Sequence, residues 1–308
     1  MAHSSPLRIG SRGSQLALWQ ANHIAAKLRA EGHDVSIEII RTTGDAMQSL
    51  TFAQVGAKGM FTKEIEEALA EGRIDLAVHS LKDLPTTLAE PFALAAIPLR
   101  ADPRDAFVSA QYESFAALPS GAQVGTSSLR RQAQLRAQRR DLEYVEFRGN
   151  VDTRLRKLAA GQVEAIILAA AGLERLGLTG HIRERFPALV LCPAAGQGAL
   201  AVETRAGDVE TIAILGFLDD AATRFAVTAE RAALAALGGG CQVPIGIFCE
   251  REGEDFLMVG VVASPDGSSV LRAELEHQKG VRPEALGEKL ARRLLEQGAE
   301  RILQANVS

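Results

Sequence analysis

Apolar and polar positions along this chain follow two patterns in turn. Over the first hundred residues, short apolar runs alternate with helical spacing. Residues 7–10 form an apolar run. From Ser14 the spacing of Leu16, Trp19, His23 or Ile24, and Leu28 predicts an amphipathic helix stopped by Gly32. Val35, Ile37 and Ile39 alternate with Ser36 and Glu38, as in a half-buried strand. Residues 43–60 read as a Gly-dotted loop, 61–71 as a helix through Ile65 and Leu69, and 74–79 as a strand. Such alternation implies a mainly parallel sheet with helices on its faces.

The pattern then repeats. A helix over 151–160 leads into Gly161-Gln162-Val163-Glu164-Ala165-Ile166-Ile167, which echoes Gly72-Arg73-Ile74-Asp75-Leu76-Ala77-Val78 at a constant register of 89 residues. The turns Gly10-Ser11-Arg12-Gly13-Ser14 and Gly125-Thr126-Ser127-Ser128 are also alike. Two α/β lobes account for this, each with polar turns at one sheet edge, joined by a hinge at 100–105 and a second crossing near 193–198. The alternative is one large α/β domain with chance similarity.

The last ninety or so residues change character. Asp219 and Asp220 are placed to cap a helix over 221–237, followed by Gly238-Gly239-Gly240-Cys241-Gln242-Val243-Pro244. Strand-like segments at 245–249, 256–263 and 269–275, a Pro265-Asp266-Gly267 turn and a final helix over 285–303 describe a small α+β domain. The expected architecture is therefore two α/β lobes with mainly parallel sheets and a C-terminal antiparallel sheet with helices.

Composition narrows the function classes. In 308 residues, 34 basic against 38 acidic side chains give a net charge of −4, which argues against bulk binding to nucleic acid. The N-terminus lacks a basic start followed by an apolar run, and no stretch approaches the ~18 apolar residues of a membrane span. Three cysteines without CxxC spacing fit neither a disulfide framework nor a zinc site. The expectation is a reduced, cytoplasmic protein with no metal site, in which any important thiol acts singly.

Three features carry chemistry. Between Leu129 and Lys157 nine basic residues meet four acids, a local +5. Arginine grips carboxylates or phosphates with two parallel hydrogen bonds. Arg136, Arg139 and Arg140 read as a solvated helix face. Arg130, Arg131, Arg148 and Arg154 lie beside turns at helix starts and read as anion binders. In His79-Ser80-Leu81-Lys82-Asp83-Leu84-Pro85 a polar cluster follows a strand. Asp83 there is either a general acid/base or cation stabiliser, or simply a turn cap; Lys82 and Ser80 are placed to hold an anion, while His79 reads as structural. Cys241 follows three glycines and is either an accessible nucleophile or anchor, or a buried loop thiol.

Together these residues resemble the porphobilinogen deaminase family. The resemblance runs, in family order, through Ser11-Arg12-Gly13-Ser14-Gln15-Leu16-Ala17, Gly56-Ala57-Lys58-Gly59-Met60-Phe61, His79 to Pro85, Gly125-Thr126-Ser127-Ser128-Leu129-Arg130-Arg131, Arg148-Gly149-Asn150 and Gly238 to Ile245. It implies lobes like those of periplasmic binding proteins and a discontinuous first domain (1–99 and 199–217), with domains at 104–193 and 221–308. It implies a dipyrromethane cofactor held by a thioether to Cys241. Four porphobilinogen molecules are joined to it stepwise with loss of ammonia, and water releases hydroxymethylbilane. By match, Asp83 is catalytic. Arg12, Ser14, Lys58, Ser80, Lys82, Thr126, Ser128, Arg130, Arg131, Arg148, Gly149, Arg154 and Arg175 bind the acidic arms, Phe61 stacks near the pyrroles, and Gln20 and Gln197 are further candidates. Gln54 stands where many relatives carry a lysine. The implied protein is a monomer whose partners are porphobilinogen and the growing oligopyrrole, without nucleic acid or membrane. A non-catalytic polycarboxylate-binding protein is the rival reading; it leaves Cys241 unexplained.

Overall fold

The computed structural model describes residues 6–42, 62–239, 243–277 and 280–305. The chain begins with β1 (Leu7–Ser11), α1 (Gln15–Ala30), β2 (Val35–Ile39), α2 (Lys63–Ala70), β3 (Leu76–Ser80) and β4 (Phe92–Ala96). It continues through β5 (Asp105–Val108), β6 (Gln123–Gly125), α3 (Leu129–Gln138), β7 (Glu143–Val145), α4 (Val151–Ala159), β8 (Ala165–Ala169), α5 (Ala170–Arg175) and β9 (Ile182–Arg185). Next come β10 (Leu200–Arg205), α6 (Val209–Leu215) and α7 (Ala221–Ala236). Strands β11 (Ile245–Glu252), β12 (Asp255–Ala263) and β13 (Val270–His277) precede α8 (Pro283–Glu296) and α9 (Ala299–Gln304). These elements form two compact units, Met1–Arg100 with Ala199–Arg224, and Ala101–Gly198 with Phe225–Ser308.

The first unit holds a sheet ordered β2-β1-β3-β10-β4. Strands β2, β1 and β3 are parallel, and β10 enters antiparallel between β3 and β4. Its apolar residues lie on both faces, as helix-covered strands require. Ala21, Ile24, Ala25 and Leu28 of α1 pack on Leu7, Ile9, Leu76 and Val78, while Ile65, Ala68 and Leu69 of α2 pack on Ile74 and Ala77 on the other side. Ile24 and Leu28 lie on the buried face of α1 as expected, but Ala21 and Ala25 join them there in place of Leu16 and Trp19. Small Ala21 and Ala25 let the helix approach the sheet, and Trp19 remains 36% exposed, stacked on His23 with ring centroids 4.9 Å apart.

In the second unit the sheet runs β7-β6-β8-β5-β9, again with three parallel strands and one antiparallel strand inserted before the last. The two sheets share one design down to the start of β3 and β8, 89 positions apart. Asp75 accepts from the Arg8 amide at 2.9 Å; Glu164, at the matching position, accepts from the Gln123 amide at 2.7 Å. What the alternation of elements did not reveal is the inserted strand, β10 or β5, which in each sheet is the first strand after the chain arrives from the other lobe.

The same unit contains the antiparallel sheet β11-β12-β13. Ile245, Ile247 and Met258 pack against Ala229 and Ala233 of α7 and Leu286, Leu290 and Leu294 of α8; Cys192 seals the opposite face with Phe248, Val259 and Val261. Asp220 caps α7 as expected, its Oδ1 accepting from the Thr223 amide at 2.7 Å. The single final helix expected over 285–303 is instead two, α8 and α9. Gly298, at φ 99°, takes a left-handed conformation that ends one and starts the next.

Gly198 closes the path by which the chain leaves the second unit. Its φ is 87°, and a Cβ there would lie 2.6 Å from the Ala101 carbonyl oxygen, which belongs to the segment entering the same unit. Gly198→Ala is expected to lose more than about 1 kcal/mol of stability, read as a lower urea midpoint with an unchanged m-value.

Candidate active site

Parallel strands gather the turns at their C-terminal ends along one sheet edge, where α/β proteins bind ligands. In the first unit, Arg12 and Ser14 follow β1, and Ser80, Lys82 and Asp83 end β3 or follow it. Ser14 caps α1, its Oγ accepting from the Ala17 amide at 3.3 Å and keeping its own O–H to donate. Ser80 accepts from Gln20 Nε2 at 2.8 Å.

Asp83 lies on a 3-10 turn, Leu81–Asp83. Buried Leu81 and Leu84 pin the turn, the Leu81 amide donates to Ala199 at 3.0 Å, and Leu84 to Leu81 at 3.2 Å. Behind it, His79 Nε2 meets buried Glu203 Oε2 at 2.9 Å, so His79 has a structural partner. The Asp83 carboxylate itself is exposed, and among the described residues it accepts no hydrogen bond.

The second unit gathers the arginines. Thr126 and Ser128 follow β6; Thr126 Oγ1 accepts from the Ser128 amide at 3.3 Å, and Ser128 caps α3. Arg148 and Gly149 follow β7. Gly149 adopts φ 121°, and a Cβ there would fall 2.8 Å from Thr153 Cγ2, so only glycine fits. Its carbonyl accepts from Arg154 Nε at 2.7 Å. Arg148 Nε donates to Glu146 at 2.6 Å. Half-buried Arg175, ending the helix after β8, donates through Nη2 to the Gly198 carbonyl at 2.6 Å.

Arg130 and Arg131 turn inward onto a residue the sequence did not single out. Fully buried Asp105 accepts Arg130 Nη1 at 2.7 Å on Oδ2, and Arg131 Nε at 2.9 Å and Nη2 at 2.7 Å on Oδ1. Burial opposes the charge of Asp105, but the two guanidinium groups outweigh it and hold the carboxyl far below the usual carboxylate range. Gln197, also fully buried, donates to Asp105 Oδ1 at 2.9 Å and to Pro103 O at 2.7 Å, which gives it a structural place. Arg136 and Arg139 are occupied elsewhere, on Pro265 O at 2.9 Å and Asp141 at 2.7 Å.

Positive charge remains in excess. Burial, then repulsion from Arg131 and Arg148, pulls Arg154 down to about 10. Burial pulls Arg175 to about 10 as well, against the attraction of Glu174. A guanidinium so destabilised gains from an arriving anion. Lys58, Phe61 and Cys241, like Gln54, lie outside the described residues.

The family model described as "Porphobilinogen deaminase, dipyromethane cofactor binding domain" matches residues 7–213, and its C-terminal domain matches 224–296. The chain belongs to the porphobilinogen deaminase family. A porphobilinogen deaminase of Roseiflexus sp. (strain RS-1) is 52% identical over 299 residues, 96% of this chain and 98% of that protein. One of Bordetella parapertussis is 50% identical over 307 residues, 98% of this chain and 97% of its own. Among solved structures, the methionine-binding protein MetQ is similar over 69% of this chain and 89% of its own, at 13% identity and a TM-score of 0.46.

Cys192 is not a reactive thiol. Burial pushes it up to about 12, and its Sγ sits 3.8 Å from the Val259 carbonyl. Alkylation of the native protein with iodoacetamide is expected to leave Cys192 unmodified by peptide mass mapping, and denaturation to expose it.

Proposed function

We propose that Asp83 carries the chemistry of porphobilinogen polymerisation in this chain, that the arginines of the second unit hold the acidic arms of the pyrroles, and that Cys241 anchors the cofactor. The chain is a transferase of tetrapyrrole biosynthesis that acts on porphobilinogen and works with a dipyrromethane cofactor. The observation that carries the assignment of binding residues is that half-buried Arg154, near Arg131 and Arg148, has the Gly149 carbonyl as its only hydrogen-bond partner among the described residues.

The fit to the cofactor follows from charge. Each pyrrole ring bears an acetate and a propionate, and a desolvated guanidinium without enough carboxylates favours those groups. A charge-assisted hydrogen bond contributes about 1.5–3 kcal/mol. Arg12, Arg130, Arg131, Arg148, Arg154 and Arg175 serve as donors, with Lys82, Lys58 and the hydroxyls of Ser14, Thr126 and Ser128 beside them. When bound, the dipyrromethane supplies the nucleophilic α-carbon to which the first substrate ring is joined.

Asp83 acts on the substrate. Porphobilinogen loses its aminomethyl nitrogen as ammonia when the C–N bond breaks, which leaves a cationic methylene-pyrrolenine. The Asp83 carboxylate stabilises that cation through the pyrrole N–H groups. A new C–C bond then forms between the methylene carbon and the free α-carbon, and Asp83 accepts the proton that this carbon sheds. What supports this role is a carboxylate on a turn pinned by two buried leucines, with no hydrogen-bond partner of its own among the described residues. A turn so fixed needs little reorganisation as charge develops. Domains at 1–99 with 199–217, 104–193 and 221–308 accord with the three sheets. Among the described residues no helix is long and apolar enough to cross a membrane; action as a cytoplasmic monomer is part of the proposal.

Asp83→Asn is expected to keep ligand affinity within a few-fold while kcat falls by about 10²–10⁴; unchanged turnover removes Asp83 from the mechanism. Intact mass of the purified protein is expected to exceed the sequence mass by two linked pyrrole units, an excess that disappears in Cys241→Ser. Arg154→Leu is expected to raise KM for porphobilinogen about tenfold or more, the loss of one charge-assisted contact, whereas a parent KM excludes Arg154 from binding.

A further inference from the structure

Among the described residues Asp105 is the one carboxylate in direct contact with both Arg130 and Arg131, and its place in the fold is specific. It is the first residue of β5, and because β5 runs antiparallel, that first residue pairs with Ala169, the last residue of β8. An acid at the start of this strand thus reaches the sheet edge where β6, β7 and β8 deliver Thr126, Ser128, Arg148 and the helix bearing Arg175. Four donor contacts converge on its two oxygens, from Arg130, twice from Arg131, and from Gln197. Backbone carbonyls complete the cradle: Arg130 Nη1 also donates to Cys192 O at 2.7 Å, and Arg131 Nη1 to Ile167 O at 3.0 Å.

The arrangement leaves donors in reserve. A guanidinium has five N–H groups. Arg130 spends only those of Nη1, which leaves Nε–H and both on Nη2. Arg131 spends one from each nitrogen and keeps two. Two buried guanidinium groups alone would repel and swing apart, whereas with Asp105 the cluster carries a net +1 in a fixed geometry.

We propose that Asp105 is a positioning residue for substrate binding, fixing the Arg130 and Arg131 guanidinium groups so that their remaining N–H donors are preset for the carboxylates of the pyrrole. This rests on the reading that these arginines bind acidic arms, and it adds how they are held. Asp105 never touches the ligand; it lowers the ordering cost of the groups that do.

The test is steady-state kinetics on the holoenzyme, its cofactor content verified by intact mass, with inorganic sulfate as a second anionic probe. Asp105→Asn keeps the shape and raises the cluster from +1 to +2. The expected result is a KM for porphobilinogen raised tenfold or more, a kcat lowered less than KM is raised, and sulfate inhibition strengthened severalfold by the extra positive charge. A merely structural role predicts lower kcat with parent KM and parent sulfate inhibition; that outcome overturns the proposal. If Asp105→Asn does not fold, Gln197→Met removes one hydrogen bond from Asp105 without changing any charge. It is expected to raise KM two- to fivefold, and a parent KM in that variant overturns the proposal. Arg131→Gln, run in parallel, separates the two ideas. A raised KM there with a parent KM in Asp105→Asn refutes positioning alone, while a parent KM in Arg131→Gln refutes anion binding by this arginine and the proposal with it.

Discussion

A guanidinium group withdrawn from water must be matched by negative charge, and the second unit of this protein is organised around that demand. Asp105 matches Arg130 and Arg131 together, and Glu146 meets Arg148. Arg154 has only the Gly149 carbonyl as a hydrogen-bond partner among the described residues. The backbone features around them follow from this. A glycine at 149 is needed because its carbonyl must face Arg154 from a left-handed residue, and the antiparallel β5 is needed to bring an acid to the C-terminal edge of parallel strands. The charge left over is the basis on which we propose that the unit binds ligands with several carboxylates.

The two α/β sheets are copies in topology and differ in chemistry. The register of 89 residues that aligns β3 with β8 sets Ser80, Leu81, Lys82 and Asp83 against Ala169, Ala170, Ala171 and Gly172. In the first unit the strand ends in a short polar turn that presents a carboxylate; in the second the small residues continue directly as a helix leading to Arg175. The first copy presents the proposed reacting group and the second most of the proposed anion-binding arginines, on the same ladder in each case.

Much of this was legible in the chain because it is local. The Ser14 and Asp220 caps and the three C-terminal strands each depend on residues within a few positions of one another, and the 89-residue echo is a repeat of two such local patterns. What escaped depends on distant partners. Asp105 reads as one more polar residue in a hinge, since its partners Arg130, Arg131 and Gln197 lie 25, 26 and 92 positions away. On α1, Ile24 and Leu28 are legible as buried, but hydrophobicity favours Trp19 over Ala21, whereas close helix–sheet packing favours the alanine. The break at Gly298 was hidden by apolar spacing that continues across it in Ala299, Ile302 and Leu303. The arginines were found by number, but their division into clamped, half-buried and surface groups needed coordinates.

Two aspartates show how environment assigns different tasks to one side chain. Asp105 is buried under two cations, accepts four hydrogen-bond contacts and is held far below the usual carboxylate range, so it has no capacity to exchange a proton during turnover. It can only fix what surrounds it. Asp83 stands exposed on a pinned turn and accepts no hydrogen bond from the described residues. Its charge is uncommitted, and its position is set by leucines and backbone rather than by ion pairs. A carboxylate already satisfied by arginine would have little left to give a developing cation, and one on a loose loop would have to be ordered at each turnover. The turn after β3 avoids both problems, and for that physical reason the carboxylate we propose as the reacting group suits the unit poorer in arginine.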